Sequence, residues 1–94
     1  MSHTWVDGVA ADAVPADDRG LNYADGAFET LHCNAGKLAC PSLHEERLAS
    51  ALERLGFDHP QILARQCFDE MKQLLAEGAH SGVVRCTVTR GSGP

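Results

Sequence analysis

Residues 27–55, AFETLHCNAGKLACPSLHEERLASALERL, decide the fold, because a two-residue repeat is followed directly by a helical repeat. Side chains in Ala27–His32 alternate in the manner of a β-strand. Cys33–Lys37 is a turn segment, in which Gly36 can adopt a positive φ. Leu38–Cys40 then predicts the returning strand. One face of the first strand carries Phe28, Thr30 and His32. The first half of the stretch therefore predicts a β-hairpin.

The second half of the stretch predicts an amphipathic helix over Leu43–Leu55, because its leucines recur at helical spacing. Ser42 is a favourable N-cap, and Glu45 follows three residues later, as in a capping box. Glu45 and Glu46 are expected in the first turn, where the helix dipole favours negative charge. Gly56 supplies the stop signal at the end of the helix.

Towards the end of the chain, the pattern predicts a second helix and one more strand. Pro60 can begin a helix at its first turn, and an amphipathic repeat continues to Gly78. Val83–Thr89 alternates apolar and polar residues and is rich in β-branched side chains, which is typical of a strand. One face of this strand would carry Val84, Cys86 and Val88. A glycine-rich loop, Arg90–Pro94, follows.

Towards the beginning, short apolar runs at Thr4–Val6 and Ala10–Val14 flank an Asp-Gly pair, which predicts another hairpin. Ala16–Gly26 shows neither the repeat of a helix nor the alternation of a strand, and it is predicted to be a polar loop. The order is therefore hairpin, loop, hairpin, helix, helix, strand. It predicts a single α+β domain over residues 1–94, with a mostly antiparallel sheet and two helices packed on it.

The composition argues against several kinds of partner. A formal net charge of -5 disfavours nucleic acid and anionic membranes, which both select clustered Lys and Arg. No stretch approaches the roughly 20 apolar residues of a membrane span, and the first residues lack the apolar core of a secretion signal. Four irregularly spaced cysteines favour reduced thiols in a cytoplasmic protein.

Two kinds of chemistry can be set aside on spacing. His32, Cys33, Cys40 and His44 are residue types that zinc selects, but they lack a C-x-x-C knuckle and straddle a hairpin and a helix start, so no metal site is predicted. Ser42, His44 and Glu45 lie within one helical turn, which is the wrong geometry for a hydrolase triad.

Four motifs, taken in order and register, resemble those of one enzyme family. They are DRGLNYADGAFET at Asp18–Thr30, the pair Gly36-Lys37, HEERL at His44–Leu48, and TRGSG at Thr89–Gly93. Together they resemble the class-IV aminotransferase-like, fold-type IV pyridoxal-phosphate enzymes, most closely the 4-amino-4-deoxychorismate lyases. Ala24 departs from the glycine usual in the first motif, so the backbone there is expected to avoid angles that only glycine adopts.

The resemblance implies the N-terminal domain of the D-amino-acid-aminotransferase-like fold in a two-domain enzyme. It further implies pyridoxal 5'-phosphate as cofactor, a small-molecule substrate and a homodimer for the complete enzyme. Such lyases convert 4-amino-4-deoxychorismate to 4-aminobenzoate and pyruvate in folate biosynthesis. The N-terminal domain of a branched-chain or D-amino-acid aminotransferase is an alternative within the family. A non-catalytic interaction module is an alternative of another class.

The resemblance also assigns candidate site residues. Arg47 matches the arginine that binds the cofactor phosphate, a role suited to the planar donor fork of a guanidinium; the alternative is a surface arginine paired with a glutamate. Phe28 and Thr30 match the substrate side of the pocket, although each could be an ordinary strand residue. Arg90 could meet a substrate carboxylate, or it could anchor its loop.

The family's chemistry needs a lysine that forms a Schiff base with the cofactor. Neither Lys37 nor Lys72 matches it. That lysine, and with it every catalytic residue, is expected beyond Pro94. The 94 residues are therefore expected to have no lyase activity on their own.

Overall fold

The computed structural model describes residues 3–92, and it confirms the α+β class, both long helices and the late strand. Both predicted hairpins form, but their returning strands begin one residue earlier and end sooner than the predicted Ala10–Val14 and Leu38–Cys40. The elements are β1 (Trp5–Val6), β2 (Val9–Ala10), α1 (Arg19–Tyr23), β3 (Gly26–Asn34), β4 (Lys37–Leu38), α2 (Pro41–Arg54), α3 (Pro60–Glu77) and β5 (Gly82–Thr89). No helix in this part of the chain is long and apolar enough to cross a membrane.

The strands form two antiparallel sheets. β3 is the centre of a three-stranded sheet in the order β4-β3-β5, and its pairing with β5 runs without interruption from Gly26↔Thr89 to Cys33↔Gly82. β1 and β2 pair with each other in a separate two-stranded sheet. With only two residues in each strand, this hairpin offers little backbone for extending the larger sheet.

The core lies between one face of the three-stranded sheet and the two long helices. Alternation along β3 directs Leu31 and Cys33 towards the helices and leaves Phe28, Thr30 and His32 on the open face, as predicted. From the helices the buried side chains are Leu48, Ala49, Leu52, Ala64, Phe68, Met71 and Leu75. On β5, Val84, Cys86 and Val88 pack against this core, which confirms the predicted apolar face.

The predicted start of the first long helix was wrong. α2 begins at Pro41, and its N-cap is Cys40, whose backbone is left-handed (φ 50°) and whose side chain makes no capping hydrogen bond. Ser42 lies inside the helix, and no acidic residue lies in the first turn, so neither the Ser42–Glu45 capping box nor the dipole argument applies. Proline is well suited to the first helical position, because it has no N–H to leave unpaired and its φ is preset.

The segment predicted as an irregular loop contains a short helix. The N-cap of α1 is Asp18, whose carboxylate accepts hydrogen bonds from the backbone N–H groups of Gly20 and Leu21. The helix ends at Ala24, which adopts the left-handed conformation (φ 53°) that the sequence was expected to avoid. A single alanine tolerates this region at a cost of about 1–2 kcal/mol.

Candidate functional site

Arg47 lies on α2 with its side chain 63% exposed, and its Nε is 3.7 Å from Oε1 of Glu29. Glu29 belongs to the helix-facing side of β3, and its side chain is only 10% exposed. The Nε edge of the guanidinium is therefore paired with the carboxylate of Glu29, while most of the Arg47 side chain is exposed to solvent. Because a guanidinium carries several N–H donors in a planar fork, donors remain for a phosphate group.

His44 reaches the same carboxylate from one helical turn earlier. Its Nδ1 lies 2.7 Å from Oε1 of Glu29, and its side chain is 19% exposed. Opposite an ionised carboxylate, which only accepts hydrogen bonds, the donor of this pair is Nδ1 of His44. The family motif that contains His44 and Arg47 thus supplies two side chains, three residues apart, to one sheet residue.

Phe28 and Thr30 lie on the opposite, open face of the sheet. The Phe28 side chain is 55% exposed, and the guanidinium of Arg85 lies over its ring at 4.1 Å. Arg85 is also the cross-strand partner of Thr30. The structure therefore brings Phe28, Thr30 and Arg85 together, and sequence reasoning had not assigned Arg85. The alternation of residues along β5 could have indicated it, because it places Arg85 on the face opposite the core-facing valines.

Arg47 and Phe28 are not brought into contact. Phe28 and Glu29 are neighbours on β3, so their side chains point to opposite faces of the sheet. Arg47 pairs with Glu29 on the helix side of the sheet. Phe28 lies against Arg85 on the open side. The candidate site residues form two groups on either side of one strand.

Arg90 is engaged with other parts of the chain. Its Nε donates to Oδ1 of Asp25 at 2.9 Å, its terminal nitrogen donates to the carbonyl of Leu55, and its guanidinium lies 4.1 Å from the ring centre of Phe57. These contacts join the end of β5, the loop before β3 and the segment after α2. They match the loop-anchoring alternative for Arg90.

Two arginines share the carboxylate of Asp25. Arg19 donates to Oδ2 at 2.9 Å, and Arg90 donates to Oδ1 at the same distance. The hydrogen bond from Arg19, followed by the hydrogen bond and charge of Arg90, holds the pKa of Asp25 below its ordinary value, although desolvation acts in the opposite direction. We refer to Arg19, Asp25 and Arg90 as the Asp25 clasp.

Comparison with known proteins identifies the fold and its relatives. A 4-amino-4-deoxychorismate lyase from Pseudomonas aeruginosa superposes with a TM-score of 0.81 over 96% of this chain, with 38% identity. The chain is similar, over part of their length, to the aminodeoxychorismate lyases and fold-type IV aminotransferases. No protein-family model matches the chain.

The chain corresponds to only part of the proteins to which it is similar. An aminodeoxychorismate lyase from Vibrio harveyi is 36% identical over 56 residues, which are 60% of this chain and 21% of the relative. A hypothetical aminotransferase from Mycobacterium tuberculosis, solved in a PLP-bound form, superposes with a TM-score of 0.67 at 25% identity over 88% of this chain. The chain spans about a third of the two solved proteins, 32% and 30% respectively.

Within the part of the chain that the structure describes, both lysines lie on the surface. Lys37 is an exposed residue of β4, and Lys72 is an exposed residue of α3. Within residues 3–92, no three His, Cys, Asp or Glu side chains are grouped so that they could hold a metal ion.

Proposed function

We propose that this chain is the N-terminal domain of a pyridoxal-phosphate-dependent lyase that converts 4-amino-4-deoxychorismate to 4-aminobenzoate and pyruvate. The observation that carries the proposal is the superposition of nearly the whole chain on a solved 4-amino-4-deoxychorismate lyase at 38% identity. A second domain, a homodimeric assembly and a cytoplasmic location belong to the same proposal.

Arg47 is the residue that would hold the cofactor phosphate. Its exposed guanidinium fits a phosphate monoester, because charge-assisted N–H···O bonds to phosphate are about twice as strong as neutral ones. When bound, pyridoxal phosphate supplies an electron sink for breaking a bond in the substrate. The chain's own contribution is to fix the phosphate end and thereby the position of the ring.

The open face of the sheet would meet the substrate. 4-Amino-4-deoxychorismate carries carboxylates and a flat, unsaturated ring. Arg85 offers a guanidinium to a carboxylate, Phe28 offers an aromatic surface, and Thr30 offers a hydroxyl beside Arg85 in the strand register. In this proposal Arg90 acts on the substrate through the loop that the Asp25 clasp holds, and its side chain is not itself the carboxylate partner.

An aminotransferase is the second candidate function. The observation that favours it is the similarity to the Mycobacterium tuberculosis protein, which is named an aminotransferase and was solved with PLP. The two candidates share the cofactor site and differ in what happens to the substrate, since a lyase releases pyruvate and an aminotransferase passes an amino group to a keto acid.

The test is a product assay on the complete polypeptide that contains this chain. With 4-amino-4-deoxychorismate, the lyase releases 4-aminobenzoate and pyruvate without any added keto acid. Arg47→Ala should weaken cofactor binding by about tenfold to a hundredfold, because a hydrogen bond to a charged group is worth about 1.5–3 kcal/mol.

Arg54→Ala is the matched control, because Arg54 lies on the same helix and its Nε donates to the carbonyl of Ser50 in the preceding turn. Equal losses in both variants would contradict the assignment of Arg47. Amino-group exchange between keto acids without 4-aminobenzoate would replace the lyase by the aminotransferase.

A further inference from the structure

Glu29 is a carboxylate in an unusual position. It lies on the central strand β3, faces the helices, and keeps only 10% of its side chain exposed. A carboxylate with so little access to water is costly unless donors surround it. The residues that supply those donors therefore indicate what Glu29 is for.

Both donors come from one face of α2. His44 and Arg47 are three residues apart, which places them side by side on the helix. His44 Nδ1 is 2.7 Å from Oε1 of Glu29, and Arg47 Nε is 3.7 Å from the same oxygen. The exposed fraction of the side chain rises from 10% at Glu29 through 19% at His44 to 63% at Arg47.

The strand beside Glu29 adds no competing charge. The cross-strand partner of Glu29 on β5 is Cys86. A hydrogen bond with Cys67, together with burial, raises the pKa of Cys86 above its ordinary value, so this thiol stays neutral. The charge of Glu29 is therefore balanced from α2.

This arrangement directs the guanidinium of Arg47. The guanidinium of Arg47 is planar, so the ion pair between its Nε and Glu29 turns the Nε edge of the group towards the sheet. The N–H donors of the terminal nitrogens are left for another acceptor. His44 holds the same carboxylate oxygen, and its own ring is oriented by that hydrogen bond, as carboxylates orient histidines elsewhere.

We propose that Glu29 is a positioning residue that orients Arg47 for a phosphate monoester, with His44 bracing the carboxylate. The inference rests on the proposed role of Arg47 in the cofactor site. It has a counterintuitive consequence. If Glu29 acted only as a counter-charge, its removal would strengthen the attraction of Arg47 for an anion. If Glu29 positions Arg47, its removal weakens binding.

The experiment is the Glu29→Gln substitution in the complete polypeptide, which keeps the shape and removes the charge. The probe is pyridoxal phosphate, compared with pyridoxal, which lacks the phosphate. We expect affinity for pyridoxal phosphate to fall about threefold to fivefold, the range for a partly exposed ion pair, while affinity for pyridoxal stays the same. Unchanged or tighter binding of pyridoxal phosphate overturns the proposal.

Two further variants isolate the effect. In an Arg47→Ala background, Glu29→Gln should cause no additional loss, because the pair no longer exists. Glu45→Gln is the matched control, since it removes a carboxylate of α2 that lies 4.0 Å from Arg65. A loss with Glu45→Gln equal to that with Glu29→Gln contradicts positioning.

A second readout separates this inference from the proposed function. The order parameter of the Arg47 Nε–H bond, measured by ¹⁵N NMR relaxation, should be higher than that of Arg65 in the unchanged protein and should fall to the same value in Glu29→Gln. If pyridoxal phosphate does not bind at all, the proposed function fails, and the NMR comparison still decides whether Glu29 holds Arg47. Equal order parameters at the two arginines in the unchanged protein overturn the inference.

Discussion

At the scale of the residue, Ala24 has a conformation that another residue type would adopt more readily. It ends α1 with φ 53° and ψ 34°, and the related motif has glycine at this place. The backbone requirement is therefore the same in this chain, and alanine meets it at a cost. Of the four positive-φ residues in the two hairpin turns, Gly8 and Gly36 incur no such cost, whereas Asp7 and Ala35 do.

We predict that Ala24→Gly raises the free energy of unfolding by about 0.5–1 kcal/mol, because the left-handed strain of about 1–2 kcal/mol disappears and part of it is offset by the greater unfolded-state entropy of glycine. Urea denaturation of the two proteins measures the difference. Ala51→Gly, in the middle of α2, serves as the control and should destabilise by about 1 kcal/mol. Destabilisation by Ala24→Gly would contradict the left-handed conformation at this position.

At the scale of the element, the Asp25 clasp ties α1 to the end of β5. Alongside it, Thr89 donates to Oδ1 of Asp18 at 2.9 Å, and the backbone N–H of Arg19 donates to the carbonyl of Gly91 at 2.7 Å. These contacts come from segments about 70 residues apart in the chain, as the Asp18–Thr89 separation of 71 shows. They hold the loop that carries the first family motif against the loop that carries the last.

The clasp gives stability a defined dependence on pH. Because the pKa of Asp25 is lowered in the folded state, its stabilising contribution is complete above the ordinary value of 3.8 and is lost as the pH falls through the folded pKa. Asp25→Asn should therefore destabilise most at neutral pH, and the difference from the unchanged protein should shrink below about pH 4. Urea titrations at stepped pH measure this, with Asp69→Asn on the exposed face of α3 as control. A difference that grows on acidification would reverse the sign of the argument.

The elements also show what periodicity can and cannot predict. α2, α3 and β5 are long enough for their repeats to identify them, and alternation alone grouped Phe28 with Thr30 and His32 on one face of β3. The five residues of α1 are too few to show a repeat, so only the cap at Asp18 could have indicated a helix. Arg85 was missed because its neighbours Phe28 and Thr30 come from a strand far away in sequence, and only the β3–β5 register brings them together.

At the scale of the whole molecule, the described chain divides the family's motifs between two sides of one sheet. Arg47 lies with the helices, and Phe28 lies on the open face beside Arg85. Under the proposed function, the phosphate partner and the substrate-facing residues would therefore lie on opposite faces of the sheet. The chain spans about a third of its solved relatives.

This arrangement predicts that the 94-residue chain alone forms no 4-aminobenzoate from 4-amino-4-deoxychorismate in the presence of pyridoxal phosphate. The physical reason is that both its lysines, Lys37 and Lys72, are exposed on β4 and α3, where water solvates their amines, whereas an amine nucleophile is activated by desolvation or by a neighbouring cationic group. Product release is followed by chromatography, and borohydride reduction followed by mass spectrometry detects any lysine that carries the cofactor. Product that disappears on Lys37→Ala or Lys72→Ala would locate the catalytic amine in this chain, whereas nonspecific labelling of both lysines without product agrees with the prediction.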